Sequence, residues 1–512
     1  MKINIDEMAV FCKRKGFVYP SSEIYGGFSG FFDYGPLGAE LKQNMKQEWW
    51  KYHVKTRSDV VGIDGSIICN PKVWEASGHV SGFGDVLVEC SKCQERMRAD
   101  HVIEDQVGVQ AEGLELAEFK KIMSENEIKC VKCGSVDLGE PKVFNLLFKT
   151  FIGAVEGDKA KAYLRGETAQ LIFANFKNVL ETSRLKLPFG IAQMGKAFRN
   201  EIAPRNFLFR MREFEQMEIE YFVHPDNSKD CPYIDSVMNY ELLIYSADMQ
   251  EKEEEHKLMT VKDALSAGII SNPWHAYWLA TEITWFENLG AKKENFRIRQ
   301  HQKDEMAHYS SDCWDLEYNF PFGWKELQGI ADRSDFDLQQ HMKHSGKDLS
   351  IFDEEAKKKI VPFVVAEPSL GTDRAFLVFM FDAYTTRKDE KGKEVVVLKL
   401  HPKLAPIQVA VLPLVNKLGD KAKEVYQELL EEFNCSYDRS GSIGRRYVRM
   451  DEVGTPLCVT VDFDTLEQND VTLRDRDTGA QVRVKLENLS EKIRQFFKGK
   501  KLEELGNLIN TN

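Results

Sequence analysis

Apolar and polar residues follow two periodicities along this chain, and each predicts a different element. Pro36 to Val54 repeats its apolar side chains at helical spacing, and a proline suits the first turn of a helix. Phe189 to Phe198 is rich in strand formers, and Phe207 to Phe222 alternates apolar and charged residues as a half-buried strand does. Because Ala203-Pro204-Arg205-Asn206 between them is a turn cluster, the pattern predicts a β-hairpin.

A second patterned region lies in the third quarter of the chain. Val361 to Ala366 predicts a strand, 367–372 predicts a break, and Asp373 to Tyr384 predicts an apolar helix with Arg374 in its first turn. A cation is unfavourable at the N-terminus of a helix, so we expect Arg374 to have an anionic partner.

The last part of the chain alternates strand and helix patterns. Ile407 to Leu414 and Pro456 to Asp462 predict strands on either side of a helix from Leu418 to Phe433, which indicates a small α/β domain. The polar stretch 385–394 before it predicts a linker or an exposed hairpin.

Two stretches have the character of insertions. Residues from about 85 to 141 are charged and helical in pattern, and cysteine pairs bracket them. Residues from about 225 to 320 separate the predicted hairpin from the later apolar strands. Within the second stretch, Trp274, Trp278 and Trp285 are predicted to be core aromatics.

Composition adds limits on class and compartment. A chain of 512 residues predicts two or more domains, and 43% hydrophobic with 29% charged residues excludes disordered and fibrous classes. The N-terminus has no leader pattern and no apolar run approaches a membrane span, so we expect a cytoplasmic protein with no membrane association. The net charge of −12 argues against indiscriminate nucleic-acid binding, but 439–449 and 474–476 are candidate basic patches.

Four of the ten cysteines form two C-x-x-C pairs, Cys90 with Cys93 and Cys130 with Cys133. Their number and local spacing are those of a structural tetrahedral zinc site, which a reducing compartment favours over disulfides. The alternative is an insertion held together by its own packing.

The hairpin carries the candidate chemistry. Arg199 and Glu201 end its first strand, and Arg210 and Phe214 lie on the return. An arginine fork grips phosphate oxygens and an aromatic face stacks on a base, so this hairpin predicts an ATP site without a glycine-rich loop.

The same residues resemble signatures of a known family. Phe198-Arg199-Asn200-Glu201 with Arg210 and Phe214, and Gly371-x-x-Arg374 opening a helix, resemble motifs 2 and 3 of the class II aminoacyl-tRNA synthetases. Further segments are similar to glycyl-tRNA synthetases of the homodimeric type; they are Ser22 to Gly27, Asp33 to Gly38, Leu164 to Gln170, Glu367-Pro368-Ser369, Ser440 to Tyr447 and Leu473 to Asp477.

This resemblance implies an α+β fold. It comprises a class II catalytic domain, an antiparallel β-sheet flanked by helices, over 1–388, with insertions at about 86–150 and 225–320. A linker at 389–403 and an α/β anticodon-binding domain at 404–512 complete the implied organisation. The region from Pro36 to Pro71 is similar to motif 1, which implies a homodimer.

The resemblance also implies an ATP site with Mg²⁺. Arg199 and Arg374 are implied as catalytic, Phe214 as an adenine platform sandwiched with Arg374, Glu201 as a ligand of the adenine amino group, and Glu326 as the magnesium carboxylate. The implied ATP-binding residues are Arg199, Asn200, Glu201, Phe209, Arg210, Met211, Arg212, Glu213, Phe214, Glu326, Leu327, Gly371 and Arg374.

For glycine, the resemblance implies acidic residues around the ammonium group. Glycine has no side chain to grip, so selectivity must come from its two charged ends and from the exclusion of a methyl group. The implied glycine-binding residues are Arg98, Glu167, Phe214, Gln216, Glu218, Glu367, Ser369 and Gly371.

The expected function is therefore the ATP-dependent joining of glycine to tRNA(Gly). Two alternatives stay open: a class II synthetase for another small amino acid, such as serine or proline, and a non-catalytic accessory protein of the same architecture. Such a paralogue is expected to lose the ATP-binding arginines, whereas Arg199, Arg210 and Arg374 are all present.

Overall fold

A computed structural model of the chain describes residues 3–109, 111, 114–154, 157, 160–303, 305–306, 312–388 and 392–509. The N-terminal elements are α1 (Ile5–Lys15), β1 (Val18–Pro20), β2 (Phe32–Tyr34), α2 (Pro36–Trp50), β3 (Val60–Ile63), α3 (Pro71–Ala76) and α4 (His79–Gly82). The predicted helix over 36–54 is α2, which continues into a π-helical turn, Lys51–Lys55.

The first predicted insertion contains a small sheet with its own helices. Its elements are β4 (Gly84–Glu89), β5 (Arg96–Arg98), α5 (Ala99–Val107), α6 (Leu116–Glu125) and β6 (Lys142–Asn145), and the strand order is β5-β4-β6. Val88, Ile103 and Phe119 are buried in a core that also includes Cys90 and Cys130. Side-chain packing therefore contributes to this unit together with its cysteines.

The elements that build the centre of the molecule follow along the chain. They are β7 (Lys149–Phe151), β8 (Lys161–Tyr163), α7 (Ala169–Ser183), β9 (Phe189–Phe198), β10 (Glu213–Val223), β11 (Glu241–Tyr245), α8 (Ala247–Glu251), β12 (Lys257–Thr260), α9 (Val261–Ser266), α10 (Pro273–Glu287), β13 (Phe296–Gln300), β14 (Asp312–Phe320), β15 (Gly323–Asp332), α11 (Phe336–Ser345), β16 (Ile351–Asp353), β17 (Lys358–Ile360), β18 (Phe363–Gly371), α12 (Thr372–Ala383), β19 (Tyr384–Lys388) and β20 (Glu394–Leu398).

Across the described ranges, one nine-stranded sheet runs in the order β12-β11-β13-β14-β15-β18-β10-β9-β3. Its central pairs are antiparallel, and β3 with β9 and β11 with β13 are parallel. The predicted α+β class is confirmed. The stretch 225–320, which the sequence suggests as a second insertion, contributes β11 to β14 to this same sheet.

Two local predictions needed correction. The return of the hairpin does not begin at Phe207, because Asn206 and Phe207 have φ values of 59° and 54° and lead into a 3-10 turn, Phe207–Phe209. The strand β10 begins only at Glu213. The predicted break at 367–372 is wrong, because β18 continues to Gly371, paired on both sides by β10 and β15.

Helices and aromatic side chains cover the sheet. In α10, Trp274, Trp278 and Trp285 are fully buried, as predicted, and they join one core with the apolar face of α12. On the other side, Phe173 and Phe176 of α7 pack against strands β9 and β10. The sheet is thus held from both faces, which fixes the positions of the side chains at its centre.

The C-terminal part forms a second sheet. Its elements are β21 (Val409–Pro413), α13 (Gly419–Leu430), β22 (Cys435–Tyr437), α14 (Ile443–Val453), β23 (Leu457–Val461), α15 (Phe463–Gln468), β24 (Asp470–Asp475), β25 (Gln481–Lys485), α16 (Leu489–Phe497) and β26 (Asn507–Leu508). The strand order is β22-β21-β23-β24-β25-β26, with parallel pairing around β21 and antiparallel pairing after β23. The predicted α/β domain is confirmed.

A hairpin of β19 and β20 precedes this second sheet. It occupies most of the stretch predicted as a linker or exposed hairpin, and residues 389–391 of that stretch lie outside the described residues. Within the described parts of the chain, no helix combines the length and apolarity that crossing a bilayer requires.

The candidate basic patches of the C-terminal domain are only partly exposed. Arg446 is buried and donates to the carbonyl oxygen of Gly441, 3.1 Å away. Arg474 is buried against Asp451, with contacts of 3.0 and 3.2 Å. Arg476 is buried and donates to the carbonyl oxygen of Leu400 at 2.9 Å. These three arginines stabilise the fold, whereas Arg439 and Arg445 are exposed.

Candidate active site

A pocket of about 340 Å³ lies over the centre of the nine-stranded sheet. It brings together most of the residues that the sequence predicts for ATP and glycine; these are Glu167, Arg199, Glu201, Phe209, Arg210, Met211, Phe214, Gln216, Glu218, Glu326, Leu327, Glu367, Ser369, Gly371 and Arg374. Four predicted residues do not line it: Arg98, Asn200, Arg212 and Glu213. Residues far apart in the chain therefore converge on one cavity.

Strand pairing explains this convergence. Successive side chains of a strand point to opposite faces, so residues two apart share a face. Glu218 of β10 is paired with Ser369 of β18, and Gln216 is paired with Gly371. The continuation of β18 through the predicted break is what places its polar residues beside β10.

We call Arg199, Arg210 and Arg374 the cationic side of the pocket. Arg199 donates from Nε to the carbonyl oxygen of Gly166 at 3.1 Å, and its guanidinium lies 5.4 Å from the ring centre of Phe214. Among the described residues, no carboxylate lies within ion-pair distance of Arg199. Its charge is thus held in place by a carbonyl and an aromatic face, without being neutralised.

Arg210 is the most poorly satisfied of the three. Its closest carboxylate is Glu201, 3.9 Å from Nε, and Nη1 is buried with no hydrogen-bond partner among the described residues. Burial, together with the neighbouring cations Arg98 and Arg374, lowers the pKa of Arg210 although Glu201 opposes the shift. An anion in the pocket would relieve both the crowding of charge and the missing partner.

Arg374 occupies the first turn of α12 and has the anionic partner expected of it. Nη1 lies 3.2 Å from a carboxylate oxygen of Glu326 and donates to the Glu326 carbonyl oxygen at 2.9 Å. This guanidinium lowers the pKa of the Glu326 carboxyl group. The Arg374 guanidinium lies 4.5 Å from the ring centre of Phe209, so the sandwich of adenine between Arg374 and Phe214 stays a prediction.

We call Glu167, Glu218 and Glu367 the carboxylate side of the pocket. Glu218 is buried and accepts hydrogen bonds from the hydroxyl groups of Thr168 and Ser369, the latter at 2.6 Å. Burial and the charge of Glu167 raise the pKa of Glu218. Its two hydroxyl donors fix the orientation of the carboxylate.

Glu167 is held by groups from two further elements. His79 Nε2 of α4 lies 3.2 Å from one of its oxygens, and Gln170 Nε2 donates to the other at 3.0 Å. Burial raises the pKa of Glu167, but His79, Arg333 and Arg199 together lower it well below its usual range. Glu167 is therefore ionised at neutral pH and faces the pocket as an anion.

Arg333 is the buried cation beneath the carboxylate side. Its Nη1 contacts both oxygens of Glu367, at 2.9 and 3.0 Å, while Nε and Nη2 contact Asp337 at 2.7 and 2.9 Å. Asp337 also accepts from Gln170 at 2.9 Å, which links Glu367 to Glu167 through a continuous network. Burial and the charges of Glu218 and Glu167 raise the pKa of Glu367, although Arg333 opposes the shift.

Sequence reasoning missed this network. Asp337 lies in the first turn of α11, and Arg333 lies four positions earlier, just before the helix; this spacing, which is that of a local ion pair, was the available signal. Nothing in the sequence shows that the pair turns inward toward Glu367.

A second group of missed residues joins α2 to the pocket wall. Lys42 is buried on α2 and contacts Asp373 at 2.7 Å and Glu215 at 3.1 Å. Asp373 also accepts from the backbone amide of Glu215 at 2.8 Å. A lysine on the apolar side of an amphipathic helix was the available signal, because such a residue needs a buried partner.

The further lining residues that were not predicted include three polar ones, His301, Cys313 and Asp315. His301 Nε2 lies 2.9 Å from Asp315 on β14, and this carboxylate raises the pKa of His301 to about 11 against the effect of burial. The pair forms the wall of the pocket next to the magnesium candidate Glu326.

Arg98 lies in the insertion, close to the pocket but outside its lining. Its guanidinium contacts Asp100 and lies 3.1 Å from Asp85. It is near enough to lower the pKa of Arg210. In this structure Arg98 is thus paired with carboxylates of the insertion and does not reach the cavity, so its contact with glycine stays a prediction.

The four cysteines of the insertion converge. Cys90 Sγ is 3.6 Å from Cys133 Sγ, and Cys93 Sγ is 3.6 Å from Cys130 Sγ, with all four sulfur atoms within 4.8 Å of one another. A tetrahedral zinc with bonds of about 2.3 Å places its sulfur ligands about 3.8 Å apart, so the donor set fits this ion.

The backbone around the cysteines repeats one turn twice. In the first pair, the amide of Gln94 donates to the carbonyl of Cys90 at 2.8 Å; in the second, Gly134 donates to Cys130 at 2.9 Å. Gln94 and Gly134 both have positive φ, 59° and 70°. A strained backbone conformation at the non-glycine residue Gln94 indicates that the loop is shaped to orient its thiols.

Two parts of the chain match models of known protein families. Residues 154–399 match the model described as tRNA synthetase class II core domain (G, H, P, S and T). Residues 408–496 match the model described as anticodon binding domain. The first match contains both sides of the pocket, and the second coincides with the C-terminal sheet.

Curated proteins are similar over almost the whole chain. Proteins named glycine–tRNA ligase from Acetivibrio thermocellus and Caldanaerobacter subterraneus subsp. tengcongensis are 46% and 44% identical, covering 98% and 97% of this chain and 99% of each relative. One with the same name from Geobacillus thermodenitrificans is 46% identical over 96% of this chain and 97% of its own length.

Proposed function

The chain belongs to the glycine–tRNA ligases, a family of class II aminoacyl-tRNA synthetases, and we propose that the pocket over its central sheet is where it activates glycine with ATP. It is an enzyme that joins glycine to tRNA, with ATP and Mg²⁺ as the co-substrate of its family. The observation that carries the assignment of the pocket is the placement of three arginines, two of them without a close carboxylate partner among the described residues, beside a set of buried carboxylates.

The cationic side is the proposed triphosphate site. Arg199 binds the α-phosphate and the glycine carboxylate, while Arg210 and Arg374 bind the γ-phosphate of a bent nucleotide. Phe214 provides the adenine platform. Glu201 accepts a hydrogen bond from the adenine amino group, and one of its buried oxygens lacks a hydrogen-bond partner among the described residues. The under-neutralised state of Arg199 and Arg210 supports this assignment because a polyanion supplies what they lack.

The chemical step requires the glycine carboxylate to attack the α-phosphorus while pyrophosphate leaves. Charge spreads over the phosphoryl oxygens in the transition state, so positioned donors lower the barrier without a covalent nucleophile. Arg199 is fixed by Gly166 and by the ring of Phe214, so its guanidinium needs little reorganisation as the reaction proceeds. Glu326 is the proposed carboxylate for Mg²⁺, which neutralises charge on the leaving pyrophosphate.

The carboxylate side is the proposed ammonium site. Glu167, Glu218 and Glu367 face the cavity, and Ser369 and Gly371 also line it. The network through Gln170, Asp337 and Arg333 makes this wall rigid, and a rigid wall excludes the extra methyl group of alanine better than a deformable one.

Beyond the pocket, we propose domain limits of 1–388 for catalysis, 389–403 for a linker and 404–512 for anticodon binding, with tRNA(Gly) as the RNA partner. We also propose a homodimer formed through the α2 region, because this region is similar to motif 1. Sedimentation velocity tests the proposal, and a monomer would contradict it. The cytoplasm is the proposed compartment because charged tRNA is used there.

We also propose one zinc ion per chain, bound by the cysteines at 90, 93, 130 and 133. It is structural, because four sulfur ligands leave no open position for catalysis. The test is metal analysis of protein purified without chelators, beside Cys130→Ser and Cys435→Ser, the second altering a buried cysteine of the other domain. We expect about one equivalent in wild type and Cys435→Ser and a strong loss in Cys130→Ser; no metal in wild type would contradict the proposal.

The amino acid and the enzymatic nature are tested together by exchange of labelled pyrophosphate into ATP. We expect exchange with glycine and little with alanine, serine or proline. Exchange with serine or proline in place of glycine would favour the alternative of another small substrate, and no exchange with any of the four would favour a non-catalytic accessory protein. An Arg199→Ala preparation is the control for contaminating synthetases.

A further inference from the structure

Glu220 is a fourth acidic residue of this region, and it does not line the pocket. It follows Glu218 by two positions on β10, so its side chain is on the same face of the sheet. The residue is fully buried, and neither carboxyl oxygen has a hydrogen-bond partner among the described residues. A buried polar group without a partner is costly, which calls for a physical explanation.

The surroundings of Glu220 are dominated by acids. One oxygen each of Glu218, Glu220 and Glu367 lie within 4.8 Å of one another. Asp337 of α11 adds another negative charge, and Arg333 is the cation that faces the group. Three ionised carboxylates at this distance in a water-poor interior would repel one another strongly.

The geometry of Arg333 decides which acid is ionised. Its guanidinium contacts both oxygens of Glu367 on one side and both oxygens of Asp337 on the other. A guanidinium that contacts both oxygens favours the charged form of a carboxyl group, and Glu220 has no such contact. Burial, and next the charge of Glu367, raise the pKa of Glu220 well above its usual range.

We propose that Glu220 works as a neutral carboxylic acid that donates its proton to the Glu367 carboxylate, and so is the positioning residue for the ammonium-binding acid. The proposal rests on the proposed function of the carboxylate side. The oxygens of this cluster lie within 4.8 Å of one another, so a movement of the carboxyl groups within it would bring the hydroxyl of Glu220 into hydrogen-bond range of Glu367 and give its unpartnered oxygens a role.

In this arrangement Glu367 has two donors, Arg333 below and Glu220 beside it, and both favour its ionised form against the effect of burial on its pKa. The remaining lone pairs of Glu367 then point to the cavity, where the ammonium of glycine binds. It also keeps the charge of the cluster lower than the number of acids suggests. The carboxylate side can therefore form before substrate arrives, without the full repulsion of its members.

The test measures KM and kcat for glycine and KM for ATP in the exchange reaction, with three variants. Glu220→Gln is isosteric, always neutral and keeps a donor, so we expect its KM for glycine to stay within about threefold of wild type. Glu220→Leu removes the donor at similar volume, so we expect KM for glycine to rise about tenfold with KM for ATP unchanged. Glu367→Gln is the reference for the loss of an ammonium-binding charge.

Each possible outcome either supports or contradicts the proposed role of Glu220. If Glu220→Gln raises KM for glycine as much as Glu367→Gln, then Glu220 acts as an anion and the proposal is wrong. If Glu220→Leu behaves like Glu220→Gln, no donor role exists. If Glu220→Leu does not fold, the infrared difference spectrum between wild type and Glu220→Gln decides: a carboxylic-acid band missing from the variant supports the proposal, and its absence from wild type overturns it.

A fourth variant, Glu218→Gln, measured beside the other three, separates this inference from the proposed function. If Glu218→Gln and Glu367→Gln both leave KM for glycine unchanged, the ammonium site itself is wrongly assigned. If they raise it and Glu220→Gln also raises it equally, only the role of Glu220 fails.

Discussion

On the cationic side of the pocket two of the three arginines lack a close carboxylate partner among the described residues, whereas on the carboxylate side every predicted acid is tied into a network of the protein's own groups. Arg199 relies on a carbonyl oxygen and an aromatic ring, and Arg210 has a carboxylate only at 3.9 Å. Glu367, by contrast, meets the guanidinium of Arg333 at 2.9 and 3.0 Å.

The difference matches the proposed assignment of ATP to the cationic side and of glycine to the carboxylate side. ATP brings several negative charges, so the protein can leave arginines poorly satisfied and let the nucleotide complete them. Glycine brings one ammonium group and no side chain, so the protein must supply rigidity itself. We expect substitutions on the two sides to separate into effects on chemistry and effects on glycine binding.

The largest expected effect is on the cationic side. Arg199→Ala removes a donor at the developing charge, so the rate of pyrophosphate exchange should fall on the order of 100-fold or more. Arg96→Ala is the matched control, because Arg96 is 68% exposed, pairs with Glu89 and does not line the pocket. A near-normal rate for Arg199→Ala would reject its assigned role.

The next effect belongs to the carboxylate side. Glu367→Gln replaces a charged acceptor of the ammonium by a neutral one, and hydrogen bonds to charged groups contribute about 1.5–3 kcal/mol. KM for glycine should therefore rise about 10- to 100-fold while KM for ATP stays near wild type. Equal increases in both constants would show that the two sides are not separable and would break the comparison.

The sequence predicted the cationic side better than its surroundings. The hairpin and the helix that carries Arg374 were visible from periodicity, and the resemblance supplied their roles. Arg333 and Asp337 were missed because local spacing reports an ion pair but not the strand it packs beneath. The extended course of β18 was missed because proline and glycine in 367–372 signal a break, and pairing by two neighbouring strands overrides that local preference.

The arginines of the C-terminal domain also show that a sequence does not reveal the buried partners of a charged residue. Arg474 and Arg476 follow the pattern of a basic patch, but Asp451 and backbone carbonyl groups surround them in the folded chain. The charge of an arginine is readable from sequence, whereas the presence of a buried partner depends on distant residues. Arg199 and Arg474 therefore look alike in the sequence and differ in what they contact.

A smaller effect concerns stability in the absence of substrate. Arg210→Met removes a buried donor without a partner and a cation crowded by Arg98 and Arg374, at the cost of its weak pairing with Glu201. Leaving such a donor unsatisfied costs about 1–3 kcal/mol, so the thermal midpoint of the free protein should rise by about 2 °C.

We expect wild type and Arg210→Met to respond differently when nucleotide is added. Wild type should be stabilised by ATP, by about 2.7 kcal/mol at 100 times Kd, and Arg210→Met should gain much less at the same concentration. A lower midpoint for the free variant together with undiminished stabilisation by ATP would show that Arg210 serves the fold and not the nucleotide.

The smallest effect is a pH dependence that the carboxylate side should show. The pKa of Glu220 in the folded chain is raised, so the stability linked to its proton is fully present below its unfolded value near 4.5 and is lost as pH rises toward the folded value.

The variant Glu220→Gln cannot lose a proton. Its thermal midpoint relative to wild type should therefore increase from pH 6 to pH 9, on the order of 2 °C per pH unit, since one unit corresponds to about 1.4 kcal/mol. Glu215→Gln is the control, because Lys42 and Lys46 lower the pKa of Glu215 against burial, so Glu215 is ionised in the folded and unfolded chain from pH 6 to pH 9 and its difference from wild type should stay constant. A constant difference between Glu220→Gln and wild type across this range would mean that Glu220 is ionised throughout, and the carboxylate side would then hold its acids by a means other than a stored proton.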